Sequence, residues 1–177
     1  MTNTVNKKIE EDRSIIEKTN ILTSNRKKTR KLLFQELYSC SLNNFDKILF
    51  RKSFFDEVHT FNIDENYLEE MHKIITFHEN FFINIVKIYA PKFNVEKMSL
   101  SNVLPVYIWL AEMFFLTEEI PGKVSINEWV EIAKVYWDDS AKKVVNWILN
   151  KVYKDFEKLA KTKDDDYSNI TESCFKK

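Results

Sequence analysis

Apolar residues recur at intervals of three, four and seven along most of the chain, which is the spacing of one face of an α-helix. In the stretch 64–89, Leu68, Met71 and Ile75 fall on one stripe, and Asp64 precedes it as a candidate N-cap. No segment sustains the strict alternation that indicates a strand. The pattern predicts an all-α fold of about six to seven helices, from residue 24 or 25 onward and over 45–58, 64–89, 101–116, 126–133 and 139–160.

Few residues in the chain favour tight turns, since it contains one glycine and three prolines in 177 residues. Pro121-Gly122 is the clearest turn, and Ser125 is a candidate N-cap for the helix that follows it. Composition also divides the chain. Residues 1–24 are predicted to be a flexible extension, residues 25–160 a single helical domain, and the Lys- and Asp-rich residues 161–177 a disordered tail.

Charge and composition exclude several classes of function. The 27 basic and 27 acidic residues cancel, so nucleic-acid binding must come from a local patch of charge. The longest apolar run, around 103–116, is too short to span a bilayer, and no signal peptide is visible, so we expect a cytoplasmic protein without a membrane partner. The sequence contains no catalytic motif and no glycine-rich phosphate loop, and its histidines and cysteines lack the spacing of metal ligands. We therefore predict no enzymatic activity, no cofactor and no metal.

The one concentration of charge lies at the start of the first predicted helix, where five cations occupy about a turn and a half: Arg26, Lys27, Lys28, Arg30 and Lys31. Cations at a helix N-terminus oppose the helix dipole, which indicates an anionic partner. RNA phosphates are such a partner, and Tyr38 on the same helix can stack on an unpaired base. A merely solvated helix face is the other interpretation of the run.

Two segments of the sequence resemble the NusB family of transcription antitermination factors. The N-terminal segment is NRKKTRKLLFQELY at 25–38. The C-terminal segment has the spacing E–IP–KV–INE–VE–AK–VN–L, which runs from residue 112 to residue 149. The signature positions in this series are Glu112, Pro121, Asn127, Glu128, Lys134 and Asn146. Asn127 and Glu128 have two possible roles on the basis of the sequence: they cap the first turn of a helix, or they make packing contacts specific to the family.

The resemblance implies an all-helical domain of two small subdomains. It also implies binding to the boxA element of ribosomal RNA leaders, together with the small-subunit ribosomal protein NusE, in a complex that joins RNA polymerase and suppresses premature termination. By matching position, the RNA-facing residues are Arg26, Lys27, Arg30 and Tyr38, and the Asp138-Asp139-Ser140 loop belongs to the functional surface. Two alternatives are a helical protein-interaction adaptor and an accessory module of an RNA methyltransferase system.

The sequence departs from the family pattern at several positions. Val106-Tyr107 stands where the family usually has Leu-Arg, and Trp137 and Trp147 stand where it has glycine. Indoles at two such sites are expected to cause strain or overpacking. One hypothesis is that these codons are UGA, translated as glycine in the source organism, and the alternative is a diverged member that repacked around true tryptophans. UGG at codons 137 and 147 of the gene would rule out the first hypothesis.

Overall fold

The computed structural model describes residues 26–42, 48, 50, 63–92, 94–116, 120–136 and 139–175, with backbone alone at 133–136, 139–141 and 144. The predicted N-terminal extension, Trp137, Asp138 and most of the predicted helix over 45–58 lie outside these residues. In the described part of the chain all regular structure is helical, which confirms the all-α class. The helices are α1 (26–42), α2 (Glu65–Phe77), α3 (Glu79–Tyr89), a 3-10 turn (Val95–Lys97), α4 (Leu100–Phe115), α5 (Gly122–Tyr136), α6 (Asp139–Lys154) and α7 (Phe156–Ala160).

Helix α4 lies at the centre of the fold. Its residues from Val103 to Phe114 are all buried, and it contacts α2, α3, α5 and α6. Its sequence is apolar on every side, which is the pattern of a helix enclosed by its neighbours. Glu112 is the only charged residue in this helix, and its side chain is fully buried. The burial of this carboxylate organises the site described below.

The helix predicted over 64–89 is in fact two helices, with a break at His78. Asp64 caps the first as predicted, since its side chain accepts a hydrogen bond from the backbone N–H of Tyr67 at 3.2 Å. At His78 the backbone leaves helical geometry, with φ −104° and ψ 18°, and α3 begins at the next residue. Three consecutive side chains, Phe81, Phe82 and Ile83, are buried in α3. A single straight helix could not bury these three on the same stripe as the apolar face of α2.

The prediction of a disordered tail is wrong for residues 161–175, which we call the C-terminal strap. The strap packs against α3 and α4, and Cys174 is buried. Glu79 of α3 accepts two hydrogen bonds from it, from Ser173 Oγ and from the Cys174 N–H, each at 2.7 Å. Its polar composition, averaged over the segment, concealed the few side chains that pack on the core, namely Tyr167, Ile170, Cys174 and Phe175.

Within the described ranges, none of the helices has the length and apolar character needed to cross a membrane.

Candidate nucleic-acid interface

Arg30, predicted to face RNA, lies in the core. It is 4% exposed, and its Nε donates to Glu112 Oε1 at 2.6 Å, which joins α1 to α4. Burial lowers the pKa of Arg30, but the carboxylate of Glu112, together with Tyr67 and Glu128, outweighs burial and raises this pKa above its ordinary value. Arg30 is thus a permanent charge that balances a buried carboxylate. The family resemblance implies that Arg30 faces RNA, but α1 turns this side chain inward, toward Glu112.

Three further side chains donate to the Glu112 carboxylate. Tyr67 of α2 donates through its hydroxyl to Oε1 at 2.5 Å, and Trp129 of α5 donates through Nε1 to Oε2 at 3.0 Å. Ser125 Oγ, also from α5, donates to the same Oε2. We call Glu112 with these four donors the Glu112 cluster. It connects α1, α2 and α5 to the central helix, so every lone-pair direction of a buried charge has a partner.

The cluster corrects one prediction and explains a shifted pKa. Ser125 is not the N-cap of α5, because that helix begins at Gly122 and the Ser125 hydroxyl is bound to Glu112. Burial, followed by the negative charge of Glu112, raises the pKa of Tyr67 well above its ordinary value. Tyr67 therefore stays protonated and remains a donor to Glu112.

Arg26, also predicted to bind RNA, is engaged at the junction of α1 and α2. Its Nε lies 2.8 Å from Asp64 Oδ2, and its guanidinium lies 4.4 Å from the centre of the Tyr67 ring. Asp64 thus caps α2 and binds Arg26 with the same carboxylate. This arrangement fixes the first turn of α1 against α2, and it commits the guanidinium of Arg26 to an intramolecular contact.

The lysines of α1 lie at the surface instead. Lys27 and Lys28 are exposed, and Lys31 is partly exposed. Lys27, Lys31 and Tyr38 are spaced i, i+4 and i+11, which places them on one face of the helix. The Tyr38 ring is half-buried and stacks on Phe34, with ring centres 5.9 Å apart. We call the surface of Lys27, Lys28, Lys31 and Tyr38 the α1 face.

Glu128 lies beside the α1 face. Its Oε2 is 3.9 Å from Lys27 Nζ and 4.0 Å from Arg30 Nη1. Because α5 begins at Gly122, neither Glu128 nor Asn127 is in its first turn, so they do not cap this helix. Glu128 instead contributes packing and charge between α5 and α1, and Asn127 is exposed.

Of the other signature positions, Pro121 and Asn146 are exposed. Pro121 precedes α5, and Asn146 on the outer side of α6 accepts a hydrogen bond from Asn150 Nδ2 at 3.0 Å. Lys134 lies on α5, and Asp139 and Ser140 begin α6, but their side chains are outside the described part of the structure. The contacts of the predicted functional loop therefore lie outside the described residues, and its role stays a prediction.

Trp147 is not overpacked, contrary to the sequence-based expectation. Its side chain is 47% exposed on α6, with Lys151 Nζ 4.0 Å from the ring centre. A glycine here would leave no cavity in the core. The hypothesis that codons 137 and 147 are UGA and are translated as glycine stays a prediction. Trp129, by contrast, is fully buried and bound to Glu112.

Two features of this region were not predicted from the sequence. The first is the contact of Arg26 with Asp64, which lies 38 positions away in the chain. The second is that Glu112, identified only as a signature position, is the acceptor for Arg30, 82 positions away. No local signal reveals either pairing, although a lone carboxylate in an otherwise apolar helix indicates that a buried partner exists.

The fold and this interface define a helical domain that presents a lysine-bearing helix face, anchored from behind by a buried ion pair. In the described residues no group of three or more His, Cys, Asp or Glu side chains is arranged to hold a metal. The chain belongs to the NusB family, whose family model matches residues 27–154.

Similar proteins carry the name "Transcription antitermination protein NusB". One from Thermodesulfovibrio yellowstonii is 32% identical over 143 residues, covering 73% of this chain and 92% of that protein. One from Buchnera aphidicola subsp. Cinara cedri is 31% identical over 134 residues, covering 74% and 92%. One from Clostridium perfringens is 27% identical over 135 residues, covering 75% and 99%. The C-terminal strap lies beyond the residues that the family model matches.

Proposed function

We propose that this protein is a cytoplasmic transcription antitermination factor. It binds boxA-type single-stranded RNA of ribosomal RNA leaders together with the NusE-type ribosomal protein, and the complex acts on the RNA polymerase elongation complex to suppress premature termination. It works by binding and not by catalysis. Membership of the NusB family and the names of its relatives support the antitermination role.

The observation that carries the RNA proposal is the α1 face. Three lysines with exposed or partly exposed side chains precede an aromatic ring on one helix, the combination with which proteins bind the phosphates and bases of single strands. Arg30, buried against Glu112, holds this helix in place from the other side. The lysines are thus presented from a rigid element, which lowers the entropic cost of binding.

The RNA proposal is tested by fluorescence anisotropy with a labelled boxA-like RNA and a shuffled RNA of the same composition, titrated over a range of salt concentrations. Lys27→Ala, Lys28→Ala and Lys31→Ala should each weaken binding and reduce the salt slope, by about 0.7 for each phosphate of the single strand that is no longer neutralised. Lys143→Ala, which removes an exposed lysine of α6, is the matched control. Equal slopes for the α1 variants and the control would contradict the assignment of the α1 face.

The protein partner is tested separately. We propose that the NusE-type protein docks on the part of the chain that contains the Asp138-Asp139-Ser140 loop, as the family resemblance implies. Asp139→Asn should reduce capture of the purified NusE-type protein without changing binding of RNA by this chain alone. Glu131→Gln, on the exposed side of α5, serves as the charge-matched control. Equal capture by both variants would exclude Asp139 from the docking surface.

A further inference from the structure

A cavity of about 610 Å³ opens where α1 and α2 end, α3 begins and the C-terminal strap finishes. We call it the end pocket. Its lining includes Ser41 of α1, Thr76 and Phe77 of α2, Asn80 of α3 and Phe175 of the strap. Its volume is within the range of small-molecule sites in proteins. Most of its lining lies within residues 27–154, whereas Ser173 and Phe175 of the strap lie outside the match to the family.

Two phenyl rings give the end pocket its aromatic character. Phe77 is 84% exposed, at the last residue of α2. Phe175 is half-buried, and its ring centre lies 6.4 Å from that of Tyr107 in the core. One accessible ring and one ring supported from behind can both stack on a flat ligand, an interaction that tolerates any aromatic heterocycle.

The polar groups of the end pocket favour a ligand that donates hydrogen bonds. Ser41 Oγ already donates to the carbonyl of Leu37 at 2.6 Å, and Thr76 Oγ1 donates to that of His72 at 2.8 Å. Asn80 Nδ2 likewise donates to the carbonyl of Tyr167 at 3.1 Å. These side chains keep their oxygen lone pairs, which accept from N–H groups.

The charge of the lining disfavours a phosphate. The residues that line the pocket in the described structure include Glu79 and neither lysine nor arginine. His72, in the same wall, has its Nε2 3.1 Å from the buried carboxylate of Glu36. A flat, uncharged ring with N–H donors fits this combination, and an anion does not.

The end pocket lies at the end of α1 that follows Tyr38, where Cys40 and Ser41 line it. Ser41 follows Tyr38 by three positions, so it lies about one helical turn further along α1. At 1.5 Å per residue, Ser41 lies about 21 Å along the helix from Lys27 and about 15 Å from Lys31, a span that a bound single strand can cover. We infer that the end pocket receives one unpaired, amino-bearing nucleobase of the bound RNA, an inference that rests on the proposed function.

The test is abasic scanning of the boxA-like RNA, in which one base at a time is removed while the phosphate chain stays intact. Loss of the base that occupies the pocket should weaken binding to the wild-type protein about tenfold or more. Phe77→Ala should weaken binding of the intact RNA to a similar degree and should abolish the sensitivity to that one position. Because Phe77 is exposed, its removal leaves the core intact. Ile88→Ala, an exposed apolar residue of α3 outside the pocket, is the matched control.

Each outcome separates the two proposals. If the losses of binding free energy caused by the abasic position and by Phe77→Ala are not additive when the two changes are combined, the base and Phe77 interact, which supports the pocket. Additive losses, or no sensitive position, overturn the pocket while leaving the α1 face untouched. The inference also fails if free adenosine or cytidine monophosphate binds tightly while no abasic position weakens RNA binding. That result would make the end pocket a site for free nucleotides. If the wild type binds no boxA-like RNA, the proposed function itself fails.

Discussion

Arg30 and Glu112, one from α1 and the other from α4, form an ion pair in which Nε and Oε1 are 2.6 Å apart and both side chains are buried. Breaking a buried pair leaves one charge without compensation, whereas an exposed pair gains little from its attraction. Glu112→Ala should therefore lower the free energy of unfolding by about 3–5 kcal/mol in urea denaturation. Lys87→Ala, which breaks the exposed contact with Glu172, should change it far less. Similar losses in the two variants would mean that the Glu112 cluster does not organise the core.

In the Glu112 cluster, Trp129 contributes a hydrogen bond as well as the packing of its ring. Trp129→Phe keeps an aromatic ring but removes the N–H that donates to Glu112. Loss of one of the four donors to this buried carboxylate should cost about 1–3 kcal/mol of unfolding free energy, in addition to the packing loss. The same substitution at exposed Trp147 should cost clearly less in a parallel denaturation experiment. Equal costs would show that the hydrogen bond of Trp129 contributes nothing.

The C-terminal strap should be an integral part of the domain. Deleting residues 161–177 removes the partners of Glu79 and uncovers the surface on which Tyr167 and Cys174 pack. We expect the truncated chain to lose about 2 kcal/mol or more of unfolding free energy, which is the scale for exposing one large apolar side chain. Glu172→Gln, which removes the charge that faces Lys87 at an exposed position and leaves the strap in place, is the control. A truncated chain as stable as the full chain would contradict this role.

His78 should make stability depend on pH in the mildly acidic range. Burial lowers its pKa below the ordinary value of about 6.5, Lys163 adds to the decrease, and Asp164 opposes it. The unfolded chain then binds a proton more readily than the folded chain, so the free energy of unfolding should fall as the pH drops below about 6.5. His78→Gln should flatten this dependence. Urea titrations at several pH values measure it, and parallel curves for wild type and variant would exclude His78 as the cause.

Tyr38 should contribute to RNA binding mainly through its ring. Tyr38→Phe keeps the ring that stacks on Phe34, whereas Tyr38→Ala removes it. We expect the alanine variant to bind the boxA-like RNA more weakly than the phenylalanine variant, by about 1–3 kcal/mol if one base stacks there. The reverse order in anisotropy titrations would argue against stacking and in favour of the hydroxyl.

The helical periods of the sequence predicted the α-helical class and most of the helices. The apolar face by which a helix packs on the core depends only on the spacing of residues within that segment. The break at His78 was not predicted. The break lets Phe81 and Phe82 both pack against α4, and no glycine or proline marks it in the sequence. The order of the strap was missed for a related reason, since four side chains that pack on the core outweigh the polar average of the segment.

The sequence by itself determined the family, the helical architecture and the helix that carries the cations, because these depend on spacing along one segment. Only the tertiary structure decided the function of each cation. Lys27 and Lys28 face outward, whereas Arg30, two or three positions on, meets a carboxylate 82 residues away. The helix rotates by about 100° per residue, so neighbours in a basic run point in different directions. Which of them reaches solvent is fixed by the partners that the fold places around α1.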